Sequence, residues 1–302
     1  MSAPLRLATR ASALARWQAE EVARLLCAAH PGLDATLVVV STDGDRRQDV
    51  PVWELGGQGV FVTDVQAAVL DGRADAAVHS AKDLPSVTAP GLLLACVPAR
   101  ADARDALVGR SLAELEPGAV VATGAVRRRA QLAGHRPDLR FAGLRGNIAT
   151  RLERIPPGGA VVVAAAALER LGLLDRAAEI LPVSLMLPQV GQGALAVECR
   201  NGDDATAGLL AAIEDRAARV AVDAERAFLA RLGGGCDLPV GAHGRWVDHD
   251  TVHLEGMVAT LDGRRVLRAA RTAPAAEVAA LGDGLAGDLL DDGAGALLAG
   301  DR

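Results

Sequence analysis

Apolar and polar positions alternate along the chain in a way that predicts repeated strand and helix units. Leu5 to Thr9 and Thr36 to Val40 read as buried strands, the second rich in β-branched residues. Between them, Ala13 to His30 places Leu14, Trp17, Val22 and Leu25 on one helical face, and Pro31-Gly32 ends the helix. Val60 to Leu70 predicts a second helix, and Ala76 to Val78 a third strand that runs into His79-Ser80-Ala81-Lys82-Asp83. This β-α-β-α-β order predicts an α/β sheet, in which ligands bind beyond the carboxyl ends of the strands. Arg10, Ser12, Lys82 and Asp83 then share one rim. Ser41 to Gln58 is polar, with Gly56, Gly57 and Gly59 near its end, and predicts a functional flap rather than a plain connection.

From about Arg100 the pattern recurs: strand Val120 to Ala122, helix Val126 to Leu132, strand Phe141 to Leu144, helix Ile148 to Ile155, strand Val161 to Ala165. Ala194 to Cys199 reads as a strand returning to the first sheet. Asp215 to Leu232 predicts a helix that stops at Gly233-Gly234-Gly235. Beyond it, Val252 to Ala259 and Arg265 to Thr272 flank Asp262-Gly263, a hairpin pattern, and a helix follows from Ala275 to Leu290. The expected organisation is a first α/β domain of residues 1–98 with 194–216, a second of 99–193, and a small α+β domain of 217–302.

Composition narrows the function classes. The 302-residue chain is 50% hydrophobic, enough for several cores, yet its apolar runs stop well short of the ~20 residues of a membrane-spanning helix. Its start has no secretory pattern, so a cytoplasmic protein is expected. A net charge of −6 and an aromatic content of 2% argue against nucleic acid and anionic lipid as partners. Cys27, Cys96, Cys199 and Cys236 are far apart, with no Cys-x-x-Cys pair and no His at zinc-ligand spacing, so reduced thiols and no metal site are expected. Cys27 and Cys96 fall in apolar patterns and read as inert core residues.

The basic residues carry the chemistry. All but one of the 32 are arginine, and the exception is Lys82. An amine at the mouth of a sheet, followed by the Asp83 carboxylate, suits proton transfer or stabilisation of charge on a nitrogen heterocycle. It also suits a Schiff base at Lys82, as in pyridoxal enzymes, or a mere surface ion pair. Arg127 and Arg128 follow Thr123-Gly124 at a predicted helix start, Arg145 and Arg151 flank Gly146-Asn147, and Arg170 follows Ala164 to Leu168. Guanidinium forks gathered at strand ends point to a ligand with several carboxylates or phosphates. A non-catalytic anion-binding module would use them equally well. Cys236, after three glycines, is placed for presentation rather than packing, and such a thiol is either a nucleophile or a bystander. Gly191-x-Gly193-x-x-Ala196 imitates a dinucleotide fingerprint, but the strand that follows it is the wrong context.

Taken in order, the segments resemble one family from end to end. They are Ala8-Thr9-Arg10-Ala11-Ser12 with Trp17-Gln18, Ser41-Thr42-Asp43-Gly44-Asp45, His79 to Pro85, Thr123 to Arg128 with Gln131, Arg145-Gly146-Asn147 with Thr150-Arg151-Leu152, Arg170-Leu171-Gly172, Gly191 to Ala194, Glu225 to Phe228, and Gly234-Gly235-Cys236. The chain is similar to the hydroxymethylbilane synthase (porphobilinogen deaminase) family. That resemblance implies two solute-binding-protein-like α/β domains around a cleft plus a small α+β C-terminal domain. It also implies a monomeric enzyme that polymerises four porphobilinogen molecules into hydroxymethylbilane. Cys236 would hold a dipyrromethane cofactor through a thioether and Asp83 would be the central catalyst with Lys82 beside it. Lys82, Asp83, Thr123, Arg127, Arg128 and Arg170 would bind the cofactor, and Arg10, Ser12, Gln18, Arg145, Arg151 and Phe61 the substrate. Loss of ammonia from porphobilinogen would leave an electrophilic azafulvene for attack by the terminal pyrrole, with the flap excluding water. The chain departs from the family pattern at Ala125, usually serine, at Ala167, usually glycine, and at Gln58, commonly lysine. Loss of the hydroxyl at 125 implies one hydrogen bond fewer to a charged ligand, about 1.5–3 kcal/mol.

Overall fold

The computed structural model describes residues 4–41, 62–234 and 238–300. The chain divides into two compact units, Met1–Ala101 with Ala194–Arg219 and Asp102–Gly193 with Val220–Arg302. Gln58, Phe61 and Cys236, and the flap predicted over Ser41 to Gln58 from residue 42 onward, lie outside the described residues.

In the first unit, β1 (Leu5–Arg10), β2 (Ala35–Val40), β3 (Ala76–Ser80), β4 (Leu92–Cys96) and β10 (Leu195–Arg200) form a sheet in the order β2-β1-β3-β10-β4. The first three strands are parallel, and β10 runs antiparallel to both β3 and β4. The returning strand predicted at Ala194 to Cys199 therefore does close the first sheet. Helix α1 (Ala13–Ala29) covers one face, where Leu7, Val78 and Val197 pack with Val22 and Leu26, and α2 (Thr63–Leu70) covers the other, where Ala8 and Ala77 pack with Val65 and Val69. Ser12 starts α1 by accepting a hydrogen bond from the Ala15 amide at 3.3 Å, a cap worth about 1 kcal/mol. The buried face of α1 is Gln18, Ala19, Val22 and Leu26. Leu14, Trp17 and Leu25, expected there, flank it half-buried. Relative to that expectation the helix is rolled by about one position, which brings Gln18 onto the face that meets Ser80 of β3. That roll also turns Cys27 to solvent, against the expectation of core packing, whereas Cys96 and Cys199 are buried. A helix missed in the sequence, α6 (Asp204–Ala211), follows β10 and is capped by Asp203, which accepts from Thr206 N at 3.0 Å.

The second unit repeats that strand order. β5 (Asp105–Val108), β6 (Val120–Thr123), β7 (Arg140–Gly143), β8 (Ala160–Ala164) and β9 (Ala177–Ile180) are arranged β7-β6-β8-β5-β9. Again three strands are parallel and the fourth, β5, is antiparallel to its neighbours. β5 and β9, four residues each, were not read in the sequence. Helix α3 (Val126–His135) lies over Leu107, Val121 and Val162, while α4 (Ile148–Glu153) and α5 (Ala165–Arg170) lie over Ala106, Val161 and Val163. Alternation along β5 thus puts Asp105 on the α3 side with Leu107.

The rest of this unit is an antiparallel sheet of β11 (Val240–Trp246), β12 (Thr251–Ala259) and β13 (Val266–Pro274). Gly263 turns the predicted hairpin with φ +70°. One face of the sheet buries Val252, Leu254 and Val258 against Phe228 of α7 (Arg216–Arg231), Leu285 and Leu289 of α8 (Val278–Asp291), and Leu297 of α9 (Ala294–Gly300). The chain therefore has the mixed α/β class expected of it, with two five-stranded sheets and one of three.

Candidate active site

The rim predicted in the first unit is real. Arg10 ends β1, Ser12 caps α1, and the turn Ala81–Asp83 follows β3 directly, held by Ala81 N donating to Ala194 O at 3.0 Å. Gln18 reaches across from α1 and donates through Nε2 to Ser80 Oγ at 2.9 Å. Lys82 and Asp83 are half-buried, accessible to a ligand yet set on a short, anchored turn. On the other face of β3, His79 and Glu198 are buried with Nε2 and Oε2 3.2 Å apart, and Gln66 of α2 donates to the same Glu198 oxygen at 2.8 Å.

In the second unit Arg127 and Arg128 do not extend into solvent from the helix start. They fold back onto the sheet, only 2% and 4% exposed, around Asp105, which is fully buried. Arg127 donates to both Asp105 oxygens, at 2.7 and 3.1 Å, and Arg128 Nε donates to Oδ1 at 2.9 Å. Further donors go to the Leu187 and Val162 carbonyls, each at 3.1 Å. Burial by itself pushes the Asp105 carboxyl up, but the two guanidinium groups and the Gln192 amide outweigh it and hold it far below the ordinary range. Burial dominates at Arg128 and, with Arg127 and Arg151 nearby, brings it down to about 10 despite Asp105.

Two guanidinium groups against one carboxylate leave an excess positive charge in the protein interior. Arg127 Nε and Arg145 Nη1 are moreover buried and have no hydrogen-bond acceptor among the described residues. A buried donor left unpaired is costly, and a ligand bearing carboxylates would relieve it. These donors therefore fit carboxylate-bearing ligands, the acetate and propionate arms of a dipyrromethane among them. Around them, Arg151 Nε holds the Gly146 carbonyl at 2.8 Å and Arg170 Nη2 the Gly193 carbonyl at 2.6 Å. Thr123 is buried and its Oγ1 accepts from Ala125 N at 3.2 Å. Ala125 itself is the first residue of α3's cap and gives it no side-chain hydrogen bond, so the missing serine leaves that helix start uncapped.

Sequence reasoning missed the groups that organise this site. Gln192 sits between Gly191 and Gly193, both with positive φ of 72° and 86°, a turn that side chains resist. From it, Gln192 accepts from Arg127 at 3.1 Å while donating to Asp105 Oδ1 at 2.9 Å and Ala103 O at 2.7 Å. Glu225 of α7, fully buried, ties the same turn to β11 by accepting from Gly191 N at 2.6 Å and Gly244 N at 2.8 Å. The glycine pair is the available signal, because two glycines around one polar residue mark a turn that fixes where that side chain points. Gln192→Leu is expected to lower stability by about 2–4 kcal/mol, because several charge-assisted hydrogen bonds vanish inside the unit. Urea unfolding monitored by far-UV circular dichroism measures it, and a change below about 1 kcal/mol would contradict the account.

Both flanks of Cys236 are anchored. Helix α7 closes with Gly233 at φ +70° and with Gly234 N donating to Leu229 O at 3.0 Å, and Leu238 O accepts from Val240 N at 2.8 Å. A Cβ on Gly234 would come within 2.8 Å of the Leu229 carbonyl oxygen, so a side chain at 234 would force this helix end to shift.

The family model for the porphobilinogen deaminase dipyromethane cofactor binding domain matches residues 5–208, and that for the porphobilinogen deaminase C-terminal domain matches residues 220–291. The chain is 50% identical to a porphobilinogen deaminase of Syntrophotalea carbinolica over 99% of this chain and 96% of that one. It is 49% identical to one of Roseiflexus castenholzii, over 98% and 99%, and 49% identical to one of Acidothermus cellulolyticus, over 97% and 91%. Among solved structures it is distantly similar to the periplasmic VFT2 domain of Bordetella pertussis BvgS, with a TM-score of 0.40, 18% identity, and 74% of this chain and 90% of that chain covered. Matched in order by both domain models and sharing about half its positions with relatives along its whole length, the chain belongs to the porphobilinogen deaminase family.

Proposed function

We propose that this chain condenses four porphobilinogen molecules head to tail into hydroxymethylbilane, on a dipyrromethane primer bound through Cys236. Each condensation releases one ammonia, and one water frees the finished chain. The observation that carries the site assignment is the excess positive charge buried with Asp105, together with the unpaired donors at Arg127 and Arg145. An acidic chain has no other evident use for it. When bound, the dipyrromethane supplies the pyrrole carbon on which the product is built.

Lys82, Thr123, Arg127, Arg128 and Arg170 hold the carboxylate arms of that primer. For Arg127 this means Nε, since its other nitrogens serve Asp105, Leu187 and Gln192. Arg10, Ser12, Gln18, Arg145, Arg151 and Phe61 engage the incoming porphobilinogen, whose acetate and propionate suit guanidinium forks. Asp83 faces the pyrrole nitrogens: its carboxylate stabilises positive charge as ammonia leaves and takes up a proton afterwards. In this reading residues 1–98 with 194–216, 99–193 and 217–302 are three domains, the last carrying Cys236, and the protein works as a cytoplasmic monomer. No described helix is long and apolar enough to cross a membrane.

Intact-mass spectrometry tests the attachment. Purified active protein is expected to carry a covalent mass of two pyrrole units that maps to Cys236 and is lost, with turnover, in Cys236→Ala. Active protein with an unmodified Cys236 would overturn the assignment.

A further inference from the structure

We propose that Glu198 is a positioning residue for the Lys82–Asp83 turn, acting through His79 and held in place by Gln66. The inference rests on the reading of Asp83 as the reacting carboxylate. Glu198 is 1% exposed, a position where a carboxylate is expensive unless it has a task. It stands on β10 opposite Ala77, whose small side chain leaves room, and diagonally from His79 across the antiparallel pair. Between Val197 and Glu198 the register of β10 against β4 slips, and such irregularities re-aim side chains near functional sites. His79 Nε2 lies 3.2 Å from Glu198 Oε2 without forming a hydrogen bond, so the two buried side chains meet by packing. Gln66 supplies the aligned bond, at 2.8 Å.

The arrangement has a counterpart on the opposite face of the sheet. There Gln18 of α1 holds Ser80, while here Gln66 of α2 holds Glu198, against which His79 packs. The last two residues of β3 are thus gripped from both faces, immediately before Lys82 and Asp83. A carboxylate that must meet a pyrrole nitrogen tolerates little displacement, and buried second contacts of this kind fix it. Polar groups at these buried positions have no other evident purpose in a face otherwise filled by alanine, valine and leucine.

Lys82, the only lysine in the chain, gives a readout independent of turnover: its acylation by an N-hydroxysuccinimide ester, followed by peptide mapping. In holoenzyme carrying Glu198→Gln, we expect kcat to fall at least tenfold with KM within twofold of wild type. Lys82 acylation should speed up at least threefold. His79→Gln should act alike, and the double variant should be no worse than the poorer single one, as expected for residues in one network. Should Glu198→Gln fail to fold, Gln66→Leu keeps the carboxylate and should shift both readouts about threefold in the same directions. Wild-type kcat, or a loss of kcat with Lys82 acylation unchanged, overturns the proposal. Asp83→Asn run in parallel separates the two ideas: full turnover there removes Asp83 from the chemistry, whereas the Lys82 rate still reports whether Glu198 holds the turn.

Discussion

Asp83→Ala is expected to fold normally, acquire its primer more slowly or not at all, and turn over porphobilinogen about 10³-fold more slowly than wild type. The turn that carries Asp83 is held by the Ala81 amide on Ala194 O and by the ends of β3, not by the Asp83 side chain. Deleting a half-buried carboxylate there removes no core contact. What is lost is a fixed negative charge beside the nitrogen on which positive charge develops. Single-turnover measurements on variant already loaded with primer separate this effect from primer assembly. Turnover within tenfold of wild type in loaded protein would show that another group does the work.

Asp105→Ala acts by a different route and should cost about 3–5 kcal/mol of folding stability. The carboxylate neutralises two guanidinium groups that are almost wholly buried. Removing it strands both in a medium that penalises unpaired charge far more than water does. Asp105→Asn keeps the volume and should cost nearly as much, because the charge, not the shape, is what Arg127 and Arg128 require. The pH dependence follows from the depressed Asp105 value. Its contribution is complete above the unfolded carboxylate range, about pH 4, and drains away as pH falls through the folded value below it. The stability gap between wild type and Asp105→Asn should therefore be constant from about pH 5 to pH 8 and narrow only below about pH 4. Equilibrium urea unfolding across that range provides the check, and a gap that closes near neutral pH would contradict the account.

Much of the site was legible in the sequence because it consists of residue types that have few other reasons to occur together. A lone lysine before an aspartate at a strand end, arginines after strands β6, β7 and β8, and a cysteine behind three glycines each name a chemistry by composition and local position. The long, strongly periodic elements were likewise readable: α1, α3, α7, β2 and β12 lie within a few residues of where their apolar spacing predicts. Local pattern failed where a role depends on a partner distant in the chain. Asp105 and Gln192 are 87 residues apart, Gln66 and Glu198 are 132 apart, and nothing beside any of them in sequence announces the pairing.

The same division separates what the chain's order of residues fixes from what only folding decides. Hydrophobic periodicity and turn chemistry are short-range, so the sequence by itself determines which segments become strands and helices and which strand ends bear charge. Whether a guanidinium meets a ligand or a carboxylate depends on which face of a strand looks at which helix, and on a returning strand being inserted between β3 and β4. Those are long-range outcomes of packing two-sided sheets. They turned Arg127 and Arg128 inward onto Asp105, rolled α1 until Gln18 reached Ser80 and Cys27 faced water, and placed Glu198 behind the turn that holds Asp83.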